Sequence, residues 1–179
     1  MDEFWVFGYG SLMWNPGFAF DARMQARAFG YRRALCVRSF VHRGTPDRPG
    51  LVLGLDRGGS CRGVAFRVPP PDREAVLDYL RKRELVTHVY LERHLPVALE
   101  DGRQVKALGY VVDRAHPQYA GALDVEEAAR IVHASVGKSG PNHAYVANTV
   151  AHMHEMGIRD AWLEGVAQTV ASLQGQAGA

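Results

Sequence analysis

The chain has 179 residues, 47% hydrophobic and 22% charged, with 21 basic against 19 acidic side chains and a net charge of +2. That balance fits one soluble globular domain over residues 1–179 and gives no electrostatic footprint for nucleic acid; Arg81-Lys82-Arg83 is the only massed basic run. No apolar run approaches the roughly 20 residues that a membrane-spanning helix needs, and Met1-Asp2-Glu3 is acidic where a secretory signal is basic. Cys36 and Cys61 stand alone, without metal or redox spacing, which points to a reducing compartment. A cytoplasmic protein is expected.

The first half reads as strands. Phe4–Tyr9 is a short apolar run of the buried kind. Arg32–Arg38, Leu51–Leu55 and Gly63–Val68 follow as separate strands, divided by Gly, Pro and Asp. Pro69-Pro70-Pro71 stops the fourth, and Asp72 is placed to cap a helix over Arg73–Glu84. Val89–Leu99 and Val105–Val112 are two further strands. The pattern then turns helical. Asp124 with Glu127 has the form of a capping box, opening a helix that ends near Gly137. Helices over His143–Met156 and Asp160–Leu173 come next, and the tail from Gln174 is expected to fray. Strands first and helices later predict an α+β fold, with a mixed, mostly antiparallel sheet curled toward a barrel and flanked by helices.

Two features carry chemistry. Leu77, Leu80 and Glu84 fall at i, i+3 and i+7 of the first helix, so a carboxylate lies in line with an apolar stripe. Burial and the negative end of the helix dipole both raise such a group's pKa, which suits a general base and acid. The alternative is a surface pair with Arg81, Arg83 or His88. The second feature is the turn Gly8-Tyr9-Gly10-Ser11-Leu12-Met13, which directly follows a hydrophobic strand. A tight glycine turn exposes backbone N–H groups that can hold a carboxylate or an oxyanion, or it simply ends the strand. Met13 stands where a dinucleotide fingerprint needs its third Gly, and Tyr9 and Met13 where a nucleophile elbow around Ser11 needs Gly.

The remaining candidates are less specific. Arg43 or Arg48, in the basic loop 39–50, could grip an anionic group or belong to a solvated loop. Gly137–Asn142 could form an anion nest or a plain turn, and Tyr145 beyond it could reach a site or only pack. The eight histidines show no metal-binding spacing; His152 and His154 face different ways on a helix, and no site is built on His88 and His94.

In order along the chain, several segments resemble the ChaC-type, glutathione-specific γ-glutamylcyclotransferases. They are Phe7-Gly8-Tyr9-Gly10-Ser11-Leu12-Met13-Trp14-Asn15-Pro16, His42-Arg43-Gly44-Thr45-Pro46 with Pro49-Gly50, Gly63–Val68, Tyr79-Leu80 through Arg83-Glu84, and Ser139-Gly140-Pro141-Asn142 with Tyr145. The resemblance covers about residues 4–173. It implies the mixed barrel of the cyclotransferases, Glu84 as the catalytic carboxylate, and Gly8–Met13 as the substrate loop, with Tyr90 as a site tyrosine. Ala144 stands where the family often has Glu. The implied reaction closes the γ-glutamyl group of glutathione into 5-oxoproline and releases Cys-Gly. It requires a small-molecule substrate but no metal, cofactor, nucleic acid or membrane. Cyclotransfer on other γ-glutamyl amides and non-catalytic ligand sensing are the alternatives.

Overall fold

The computed structural model describes residues 2–179. Its elements in chain order are β1 (Phe4–Gly8), a 3-10 turn (Ser11–Met13), β2 (Ala22–Ser39), β3 (Gly50–Val68), a 3-10 turn (Pro70–Asp72) and α1 (Arg73–Glu84). Then follow β4 (Tyr90–Leu99), β5 (Gln104–Val112), α2 (Val125–Ala134), the short β6 (Val136–Gly137) and β7 (Gly140–Pro141), α3 (Asn142–Glu155) and α4 (Ala161–Ala177). The first five strands form a closed barrel in the order β1-β3-β2-β4-β5. β1 runs antiparallel to β3 and parallel to β5; β4 runs antiparallel to both β2 and β5. This is the mixed, mostly antiparallel α+β barrel that the sequence predicts.

Several expected boundaries are corrected. Leu51–Leu55 and Gly63–Val68 are parts of one strand, because Gly58 and Gly59 take φ of +104° and +72° inside β3 and bend it without ending it. β2 begins ten residues before Arg32, in a stretch whose inward positions are alanines and carry little hydrophobic signal. Asp72 sits at the start of α1, but its side chain makes no capping bond, since the preceding 3-10 turn runs straight into the helix. α2 ends at Ala134 rather than near Gly137. Ser135 turns extended there and its hydroxyl donates to the carbonyls of Ile131 and Pro49. The Asp124–Glu127 capping box at its other end is formed on both sides, a contribution of about 1 kcal/mol. α4 continues through the expected frayed tail to Ala177.

The chain divides into two compact units. One comprises the chain up to Arg33 with Leu55–His116, the other Ala34–Gly54 with Pro117–Ala179. In the first, α1 lays Val76 and Leu80 against Phe4, Val6, Leu12, Val68, Leu108 and Tyr110. Leu80 is fully buried, worth about 2 kcal/mol. This cluster draws the turn after β1 and the catalytic candidate's helix together. In the second unit, α2, α3 and α4 pack on one another through residues such as Val132, Val146, Met153, Leu163 and Val166. Asn142, also buried, accepts from the Leu51 N–H and donates to its carbonyl, each at 2.8 Å.

Candidate functional site

The turn after β1 is fixed by the close return of the chain. A side chain at Gly8 would bring a Cβ to 3.0 Å from Leu12 Cβ and 3.2 Å from Met13 N, so any other residue there would push the turn outward by a few tenths of an ångström. The Met13 N–H bonds Gly10 O at 2.9 Å, Trp14 N–H bonds Ser11 O, and Asn15 N–H bonds Ser11 O at 2.7 Å. The N–H groups of Ser11 and Leu12 precede the first of these bonds and have no acceptor within the turn. Such donors suit a carboxylate or an oxyanion.

Arginines hold the turn in place. Arg33 is 5% exposed, and it donates from Nε to Tyr9 O (2.7 Å) and from Nη2 to Arg62 O (2.6 Å) and toward Met13 Sδ (3.9 Å). Arg23 reaches Met13 O at 3.3 Å. On α1, Arg83 donates from Nη2 to Ser11 Oγ at 2.9 Å. Its Nη1 donates to Asn15 O (2.8 Å), Pro16 O (3.2 Å) and Tyr79 Oη (3.0 Å). Gly17, at φ +74°, passes so near Tyr79 that a Cβ there would meet its hydroxyl.

Glu84 ends α1. Its side chain is 18% exposed and accepts no hydrogen bond from the described residues; Arg83 Nε lies 3.5 Å from Oε1. Burial pushes its carboxyl above the usual range, and Arg83 pulls the other way. Of the three surface partners expected, Arg83 stands beside Glu84, Arg81 turns to Glu92 at 2.9 and 3.0 Å, and among the described residues His88 makes no pair with Glu84. The Arg81-Lys82-Arg83 run is consumed internally, Lys82 by Asp78. Behind Glu84, Tyr110 on β5 is buried and donates to Glu92 Oε2 at 3.1 Å; burial and these carboxylates push its phenol up.

Gly8, Tyr9, Gly10, Ser11, Leu12, Met13, Glu84 and Tyr90 therefore all lie in the first unit, Tyr90 half-buried against the Leu80 cluster. Arg43 and Tyr145 belong to the second unit and meet each other. The Arg43 guanidinium sits 5.6 Å over the Tyr145 ring and donates to Pro141 O at 3.2 Å. The Tyr145 hydroxyl accepts from the Leu53 N–H at 3.0 Å. Gly137–Asn142 holds the Lys138-Ser139 turn that joins β6 to β7, and its last residue opens α3. Its Lys138 and Ser139 N–H groups donate to the carbonyls of Val41 and His42, so they are not an anion nest.

Sequence reasoning missed Arg33, Arg23 and Arg83 as the supports of the turn. Only the Tyr79–Arg83 spacing of i, i+4 gave a local signal; the rest depends on contacts distant in sequence. Among the described residues no three His, Cys, Asp or Glu side chains are grouped to hold a metal ion, and no helix is long and apolar enough to cross a membrane.

A family model described as ChaC-like protein matches residues 4–173. The chain is 36% identical over 169 residues to the glutathione-specific gamma-glutamylcyclotransferase of Escherichia coli (strain K12), covering 94% of this chain and 73% of that protein. It is 30% identical to gamma-glutamylcyclotransferase 2-3 of Arabidopsis thaliana, over 93% of this chain and 87% of that one. A crystal structure of a gamma-glutamyl cyclotransferase specific to glutathione from yeast superposes with a TM-score of 0.82 at 24% identity, covering 96% and 99% of the two chains. That last likeness speaks for the fold alone.

Proposed function

Because the chain belongs to the ChaC-like protein family, we propose that it is a glutathione-specific γ-glutamylcyclotransferase acting through Glu84. The observation that carries the reading is a carboxylate at the end of α1 that is largely buried, is pushed up in pKa by that burial, and accepts no hydrogen bond from the described residues. A carboxylate raised in this way is suited to taking and returning a proton.

In the proposed reaction the α-amine of the γ-glutamyl group attacks its own γ-carbonyl carbon. Glu84 accepts the proton that the nitrogen sheds as the new C–N bond closes the five-membered ring. The amide C–N bond then breaks, and Glu84 returns the proton to the departing amine of Cys-Gly. The attack is intramolecular, so folding the substrate into a reactive conformer removes much of the barrier. The Ser11 and Leu12 N–H groups are matched to the substrate's negative oxygens, either the α-carboxylate or the oxyanion of the tetrahedral intermediate. Tyr9, Gly10 and Met13 shape that turn, with Gly8 permitting it. Tyr90 contributes to the pocket wall, and Arg43 and Tyr145 are assigned to substrate binding. The reading also makes residues 1–179 one domain and the protein cytoplasmic. Its partner is a small molecule, with no cofactor, nucleic acid or membrane involved.

The test is a product assay with glutathione and a panel of γ-glutamyl dipeptides. Release of 5-oxoproline from glutathione well above the dipeptides supports the reading. Turnover of dipeptides in preference redirects it to other γ-glutamyl amides. Binding without turnover makes the chain a ligand sensor instead.

A further inference from the structure

We propose that Arg83 is the positioning residue that couples the substrate turn to Glu84, holding both in register with one guanidinium. The inference rests on the cyclotransferase reading for its consequence in catalysis, while its structural part stands on contacts alone. Arg83 reaches four acceptors on or beside the turn: Ser11 Oγ, Asn15 O, Pro16 O and Tyr79 Oη, at 2.8–3.2 Å. Its Nε side lies 3.5 Å from Glu84 Oε1. Ser11 and Asn15 are 72 and 68 residues away in sequence, so the fork joins distant chain to the helix end.

The planar guanidinium fixes these directions relative to one another. Nη1 and Nη2 face the turn, and Nε faces the carboxylate. A lysine ammonium on its flexible stem supplies charge at Glu84 without spanning both Ser11 Oγ and Asn15 O. The two functions are therefore separable by substitution. Two cations tie Met13 from β2, since Arg23 donates to its carbonyl and Arg33 reaches its sulfur. The outer segment, Ser11, Asn15 and Pro16, is bonded from Arg83. Tyr110 on β5 faces Glu84 as well, with its hydrogen committed to Glu92, and Arg81 is committed to Glu92 from α1. Among the described residues, Arg83 is the cation paired with the Glu84 carboxylate.

The experiment compares the full-length protein with R83M and R83K by amide hydrogen exchange, by NMR titration of Glu84, and by glutathione turnover. In R83M, the hydrogen-bonded amides of Met13 and Asn15 exchange at least tenfold faster, and the Glu84 midpoint moves up from its wild-type value. R83K restores the midpoint but not the exchange protection. In turnover, R83M raises KM at least tenfold and moves the acidic limb of the pH profile upward, and R83K returns the limb while KM stays high. Unchanged exchange in R83M, or full recovery of both properties in R83K, overturns the coupling role. So does changed exchange with an unchanged KM. If the wild-type protein releases no 5-oxoproline, the function reading fails, and exchange and titration still decide the inference.

Discussion

Tyr110 donates its phenolic hydrogen to Glu92 Oε2 at 3.1 Å and so gives none to Glu84, the neighbouring carboxylate whose charge it feels. The two acids thereby acquire opposite characters. The hydrogen bond from Arg81 holds Glu92 below the usual carboxylate range, with Tyr110 adding to it, whereas burial pushes Glu84 above that range. A pair of carboxylates with diverging environments is how acid–base duty is assigned to one of them. In the proposed mechanism that one is Glu84.

The raised Glu84 pKa makes a stability prediction with a definite sign. The folded protein binds this proton more tightly than the unfolded chain does. Stability from this group is therefore fully present below the unfolded carboxylate pKa and declines as pH rises through the folded one. Glu84→Gln removes the cost of a buried charge. Its Tm should exceed the wild-type Tm at pH 8, and the gap should close toward pH 4. Thermal melts across that range check it; a Glu84→Gln protein less stable than wild type at pH 8 contradicts the buried-charge assignment.

Tyr110→Phe deletes one hydrogen bond while Arg81 keeps Glu92 satisfied. The expected loss is about 1 kcal/mol of unfolding free energy, read by urea denaturation. The same substitution in a Glu92→Gln background should cost clearly less, because the charged acceptor is gone. Equal costs in both backgrounds would mean that the Tyr110–Glu92 bond contributes nothing.

Asn142 supplies both partners for the buried Leu51 backbone. Asn142→Ala strands an N–H and a C=O at once, for an expected loss of about 2–4 kcal/mol. Asn142→Asp keeps the acceptor for the N–H but gives the carbonyl no donor at neutral pH, so it should not rescue. Denaturant midpoints of the two variants provide the measurement, and a midpoint within error of wild type for either goes against it.

What could be read from the sequence were features carried by local pattern. The i, i+3, i+7 spacing of Leu77, Leu80 and Glu84 places the carboxylate on the inward stripe, because helical geometry needs no distant information. The Asp124–Glu127 capping box is equally local. Gly58 and Gly59 misled because the same residue that ends a strand can bend one, and the choice is made by pairing across the barrel. Arg33 and Arg83 were silent for a related reason. Their partners, Tyr9 O and Ser11 Oγ, are brought to them only by the closed sheet and the packing of α1.

The most direct measurement is the stoichiometry of products from glutathione, by mass spectrometry, for the wild-type protein and Glu84→Gln. Equimolar 5-oxoproline and Cys-Gly from the wild type, falling about 10²–10⁴-fold in a folded Glu84→Gln protein, is the expected result. Free glutamate in place of 5-oxoproline, or undiminished release by Glu84→Gln, would contradict cyclisation driven by this carboxylate.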